Sequence, residues 1–145
     1  MTAPVIYVLN GPNLNLLGTR EPDIYGADTL DDIAARLDER AKTLGLELDM
    51  RQSNHEGHLI DWLHEAQARG AKAVILNAGG FSHTSVALHD AVKAVGVPVI
   101  EVHLSNPQAR ESYRCRSLVA AAAVGSITGF GALGYELALD AAGRL

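Results

Sequence analysis

A single cysteine, Cys115, stands in 145 residues, so no internal disulfide can form. The longest apolar run, Leu118 to Gly125, falls far short of the roughly 20 residues a membrane helix needs. No basic n-region, apolar h-region and small-residue cleavage site open the chain. These gaps lead us to expect a soluble, cytoplasmic protein. Basic side chains are also few, 12 against 17 acidic ones for a formal net charge of −5, and they are scattered rather than clustered. Without a basic patch, neither nucleic acid nor an anionic membrane is an expected partner.

What is present is a repeated alternation. Strand-length apolar runs lie at Val5–Leu9, Leu46–Met50, Ala73–Leu76, Val97–Val102 and Leu118–Ile127, with helical periodicity between them. In Thr29–Leu44 the apolar residues Leu30, Ile33, Ala34, Leu37, Ala41 and Leu44 make one stripe. Thr29 and Asp32 fit an N-terminal cap, and Gly45 fits a left-handed stop. Ser53 and Glu56 suggest a second capping box, for a helix with Leu59, Leu63 and Ala66 inside and Gly70 as its stop. Ser82–Val95 and Ala132–Ala142 complete four expected helices. Continuous rather than alternating apolar strands indicate a parallel sheet covered on both faces. A length of 145 residues suits one domain, so we expect a single α/β domain over 1–145 with a flavodoxin-like, doubly wound, five-stranded parallel sheet of order 2-1-3-4-5.

Such sheets bind ligands beyond the carboxyl ends of their strands, where the winding reverses. Strand one runs into Asn10, Gly11, Pro12 and Asn13; strand three into Asn77, Gly79, Gly80, Ser82 and His83; strand four carries Glu101 and His103, then Ser105 and Asn106. Phosphate-binding signals are missing: there is no Gly-x-Gly-x-x-Gly after strand one and no Gly-Lys-Ser/Thr loop. A receiver's aspartate is replaced by Asn77, and a Cys-x5-Arg loop would need arginine where Ala121 stands, which leaves Cys115 without a role. His55-Glu56-Gly57-His58 is one residue short of the His-Glu-x-x-His zinc spacing, and we read these histidines, with His64, as polar-face residues. The only lysines, Lys42, Lys72 and Lys93, lie away from the expected rim, which disfavours a Schiff base.

Acid–base chemistry without metal or cofactor is what these residues suit. Glu101 and His103, two apart on one strand, share a face, so the carboxylate can fix the imidazole tautomer and support its cation. Tyr25 and Arg20 lie between Gly18 and Gly26, a segment placed to act as a lid over about 18–26. A guanidinium near a phenol favours the phenolate, which makes Tyr25 a candidate base.

Four stretches carry a family resemblance: G-P-N-L-N-L-L-G-T-R-E-P-D-I-Y-G at 11–26, N-A-G-G-F-S-H-T-S-V-A-L-H-D-A at 77–91, P-V-I-E-V-H-L-S-N at 98–106 and G-F-G-A-L-G-Y-E-L-A-L at 129–139. The chain resembles the type II 3-dehydroquinate dehydratases of the shikimate pathway. The resemblance implies a cofactor-free elimination of water from 3-dehydroquinate. Tyr25 would be the base, Arg20 its support, Asn13 the holder of a water at the enolate oxygen, and His103, oriented by Glu101, the general acid. It further implies substrate contacts from Asn77, His83, Leu104, Ser105 and Arg114. Asp90 would also serve binding, within trimers assembled into a homododecamer. Tyr113 departs from the phenylalanine commoner in the family, while Arg114 is in place.

Overall fold

The computed structural model describes residues 2–19 and 21–145. Five strands, β1 (Val5–Asn10), β2 (Glu47–Gln52), β3 (Ala73–Asn77), β4 (Val99–His103) and β5 (Gly125–Thr128), form one sheet in the order β2-β1-β3-β4-β5. Every neighbouring pair is parallel, as expected. The helices are α1 (Pro22–Tyr25), α2 (Leu30–Leu44), α3 (Glu56–Ala68), α4 (Phe81–Thr84), α5 (Val86–Ala94) and α6 (Leu133–Ala142).

Burial explains why β1, β3 and β4 read as unbroken apolar runs: β3 and β4 are buried along their whole length, and β1 from Ile6 onward. On one face Ile6, Val8, Ile75, Ile100 and Val102 pack against Ile33 and Leu37 of α2 and Leu139 of α6. On the other, Tyr7, Leu9, Val74, Leu76 and Val99 meet Leu59 and Leu63 of α3 and Leu88 and Val92 of α5. Each fully buried side chain of this size contributes about 1.5–3 kcal/mol through loss of hydrated apolar surface.

The Thr29 box forms as the sequence suggests: Asp32 N–H donates to Thr29 Oγ1 at 3.1 Å and Thr29 N–H to Asp32 Oδ2 at 3.0 Å. Gly45 closes the same helix in the left-handed region at φ 71°.

Four expectations need correction. Ser53 and Glu56 make no capping box, because Ser53 Oγ accepts from His55 N–H at 3.0 Å and bonds His58 Nδ1 at 2.7 Å, while Glu56 accepts from Ser85. The expected helix Ser82–Val95 breaks at Ser85, whose extended backbone lets its side chain cap Leu88 N–H at 2.9 Å, splitting α4 from α5. β4 starts at Val99 rather than Val97, since Pro98 has no N–H for the ladder. The fifth strand is only Gly125–Thr128. Its expected first half turns instead, with Ala120 N–H on Ser117 Oγ at 3.1 Å and Ala122 N–H on the Val119 carbonyl at 3.0 Å. A run of alanines lacks the β-branched bulk that favours a strand.

Candidate active site

The crossover from β4 to β5 carries no α-helix. Residues 104–124 instead run through two 3-10 turns, Pro107–Ala109 and Ser112–Arg114, over the carboxyl ends of the strands. There they wall a cavity of about 150 Å³ with the loops that follow β1 and β3.

β1 delivers the floor. Asn13 adopts φ 69°, a left-handed conformation that asparagine tolerates better than most residues, and its N–H is held by Asn54 Oδ1 at 3.0 Å. Gly11 has no alternative: a Cβ there would lie 2.5 Å from the Ala78 carbonyl oxygen, so the ends of β1 and β3 approach closely only without a side chain.

β3 delivers Asn77, and a buried polar chain fixes its amide. Tyr135 from α6 donates its hydroxyl to Asn10 Oδ1 at 2.6 Å and accepts from Asn77 Nδ2 at 2.9 Å, while Asn77 Oδ1 accepts from Gly79 N–H at 3.2 Å. The Asn10 amide donates onward to the Arg51 carbonyl at 3.0 Å. Every member therefore has a partner, as buried polar groups require. Burial pushes the Tyr135 phenol far above its ordinary range, so this hydroxyl stays neutral and structural.

β4 delivers the histidine–carboxylate pair. His103 Nε2 lies 3.1 Å from Glu101 Oε2, off the line of an ideal hydrogen bond but within ion-pair distance. Glu101 is 2% exposed and sits behind the ring, outside the cavity lining. Burial works to raise its carboxyl pKa, yet His103 and the hydroxyls of Ser117 and Ser126 outweigh burial and leave it below the ordinary value. His83 of α4 stacks near His103, centroids 6.3 Å apart and planes 16° off parallel. Its Nδ1–H donates to the Arg116 carbonyl at 2.8 Å, which fixes the tautomer and leaves Nε2 for the cavity.

Opposite stands Tyr25, the last residue of α1, between Gly18 at φ 93° and Gly26 at φ 85°. Arg110 Nη1 donates to the Tyr25 hydroxyl at 2.7 Å and to Ser105 Oγ at 3.3 Å, with its guanidinium carbon 5.1 Å from the Tyr25 ring centre.

Of the residues singled out in the sequence, Asn13, Tyr25, Asn77, His83, His103, Leu104, Ser105 and Arg114 line this one cavity. Arg114 is oriented by Glu111, whose Oε2 accepts from its Nε at 2.8 Å. Asp90 does not line it; that side chain is on the exposed surface of α5. Arg20 lies outside the described residues. Sequence reasoning missed Arg110. Three arginines crowd positions 110–116, and no spacing rule tells which of them reaches a tyrosine 85 residues away.

A doubly wound α/β scaffold whose one cavity at the carboxyl ends of the strands gathers Tyr25, Arg110 and His103, with Glu101 behind the histidine, has the make-up of an enzyme site. The chain matches the family described as dehydroquinase class II over residues 4–143. It is 60% identical over 140 residues to the 3-dehydroquinate dehydratase of Phenylobacterium zucineum, covering 97% of this chain and 96% of that one. Identity with the protein of the same name from Hyphomonas neptunium is 61% over 145 residues, covering 100% and 96%. The crystal structure of type II dehydroquinase from Propionibacterium acnes superposes with a TM-score of 0.95 at 44% identity over 99% of both chains. This chain belongs to the class II dehydroquinase family, whose members are hydro-lyases.

Proposed function

We propose that the protein is a 3-dehydroquinate dehydratase that eliminates water to give 3-dehydroshikimate through an enolate, with Tyr25 as base and His103 as general acid. The observation that carries this reading is that Tyr25 and His103 border the same cavity, each with a charged partner of the sign its task needs: Arg110 on the phenol oxygen, Glu101 on the imidazole. The Tyr25 phenolate takes the proton from C2, and the C–H electron pair passes toward the C3 ketone. Asn13, through a water, stabilises the enolate oxygen, and Arg20 adds its cation to that of Arg110 at the base. As the enolate collapses, the C1–O bond breaks and the leaving hydroxyl takes a proton from His103 to depart as water.

Asn77, His83 and the backbone of Leu104 and Ser105 suit the substrate carboxylate, while Arg114 suits a ring hydroxyl. Residues 18–26 act as a lid that brings Tyr25 onto the bound substrate, in the cytoplasm. Asp90 completes a neighbour's site in a trimer, and trimers build a dodecamer. These steps are two proton transfers and one C–O cleavage and call on no metal or cofactor.

The test follows 3-dehydroquinate turnover by the absorbance of the conjugated enone product. Wild-type turnover is expected, with His103→Ala reduced by about 10²–10⁴-fold. A protein that binds 3-dehydroquinate but forms no enone would defeat the reading.

A further inference from the structure

Glu101 is almost fully buried, and the groups that satisfy it come from one side only. On β3 its register partner is Leu76, which offers nothing polar; on β5 it is Ser126. Ser126 stands on the exposed edge strand, yet its hydroxyl turns inward and donates to Glu101 Oε1 at 2.9 Å. Ser117, from the turn preceding β5, donates to Oε2, the oxygen that also faces His103 Nε2. Ser117 Oγ is itself engaged by Ala120 N–H at 3.1 Å, which leaves its proton for the carboxylate. Both carboxylate oxygens are thereby taken by hydroxyl donors.

We propose that Ser117 and Ser126 are positioning residues of the proton-donating side: together they hold the Glu101 carboxylate in the one orientation that faces His103 Nε2, and so set the imidazole for delivery of its proton to the leaving group. The inference rests on the general-acid role proposed for His103. Neither serine lines the cavity, so neither touches the substrate directly. The ionisable groups around that carboxylate are His103 on its own strand and, beyond the ring stack, His83 from α4; β3 presents Leu76, and β5 with its preceding turn presents the two hydroxyls. Hydroxyl donors favour the charged carboxylate, and a charged carboxylate favours the imidazolium. The depressed Glu101 carboxyl agrees with this arrangement. Without the serines, a buried carboxylate would have His103 as its one partner, and its orientation would loosen.

The experiment measures kcat and KM against pH for Ser117→Ala, Ser126→Ala, the double variant, Ser117→Thr and Glu101→Gln, with melting temperatures alongside. Hydrogen bonds to charged groups are worth about tenfold or somewhat more each, so the double variant should lose at least about tenfold in kcat. KM should stay within about twofold, because nothing that touches substrate has changed. The acid limb of kcat should move to higher pH, since loss of two donors makes Glu101 easier to protonate, and Ser117→Thr, which keeps the hydroxyl, should restore both. A double variant with wild-type kcat and an unmoved acid limb overturns the proposal. So does a fall in kcat that tracks melting temperature with the limb unmoved, which would mark the serines as structural. Glu101→Gln, read beside His103→Ala, separates the two levels: a fully active His103→Ala defeats the general-acid reading itself, a fully active Glu101→Gln defeats the serine inference, and an inactive Glu101→Gln beside a normal double variant also defeats only the serine inference.

Discussion

Without its hydroxyl, Tyr25 would leave the Arg110 guanidinium over a bare ring, with its 2.7 Å hydrogen bond gone. Tyr25→Phe should cut kcat by about 10²–10⁴-fold in the enone assay, the usual worth of a general base. Tyr7→Phe is the matched control: Tyr7 is fully buried on β1 and donates to Glu65 at 2.6 Å, away from the cavity, so its kcat should stay at the wild-type level. Arg110→Lys should behave like a loss rather than a conservative change, because an ammonium cannot both bond the hydroxyl and lie over the ring as the planar guanidinium does. A wild-type rate in Arg110→Lys would remove Arg110 from the base's machinery. Glu101 gives a pH prediction. Its folded pKa lies below the ordinary 4.5, so its contribution to stability is complete above that value and lost as pH falls through the lower, folded one. Glu101→Gln should therefore flatten the acid side of a plot of unfolding free energy against pH, read by urea titration. At this scale the sequence exposed the pairs that are neighbours in the chain, such as Glu101 and His103 on one strand face. It hid those made by long-range folding, Arg110 with Tyr25 and Tyr135 with Asn10 and Asn77, because only the path of the β4–β5 crossover and the docking of α6 bring them together.

Elements separate the determinants of stability from those of the site. Thr29→Ala removes the capping box of α2, which packs on the face away from His103 and Glu101, and should cost about 1 kcal/mol in denaturant unfolding while kcat is unchanged. Gly11→Ala acts in the opposite place. Its Cβ would meet the Ala78 carbonyl oxygen at 2.5 Å, with backbone on both sides, so the ends of β1 and β3 must part and the Asn13 and Asn77 loops move with them. Overpacking of this kind costs about 1–3 kcal/mol, and kcat/KM should fall as well; an alanine variant with intact kcat/KM would show that the floor tolerates the shift. Periodicity found the long elements because burial on one or two faces writes them into the chain, as with Ile33, Leu37 and Ala41 of α2. It failed where side-chain hydrogen bonds decide. Ser53, Ser85 and Ser117 each divert a hydroxyl to a turn or cap, and each marks a boundary that hydrophobic pattern misplaced.

For the whole molecule, the position of Asp90 sets the question. It lies on α5 one turn beyond Val86, so the two share a helix face, and that face leaves Val86 62% exposed. Phe130 and, on α6, Leu133 and Leu137 are exposed as well. In the proposed reading Asp90 serves substrate binding, and since it does not line its own cavity it would do so in another chain's; an apolar neighbour on the same face is what a subunit contact would cover. The proposed trimer gives each cavity an aspartate from next door. Mixing Tyr25→Phe with Asp90→Ala, after unfolding and joint refolding, tests this directly. In mixed trimers some cavities would combine an intact Tyr25 from one chain with an intact Asp90 from its neighbour, and turnover should rise above that of either variant refolded alone. Sedimentation of the same mixture should show species of at least three chains. Asp90→Ala must itself be nearly inactive for the recovery to count, and Val86→Glu, which places a charge on the exposed apolar face that the proposed trimer would cover, should reduce both assembly and rate. No recovery in the mixture, or full activity from a dilute monomer, would return Asp90 to the ordinary fate of a solvated helix residue and make each cavity complete in itself.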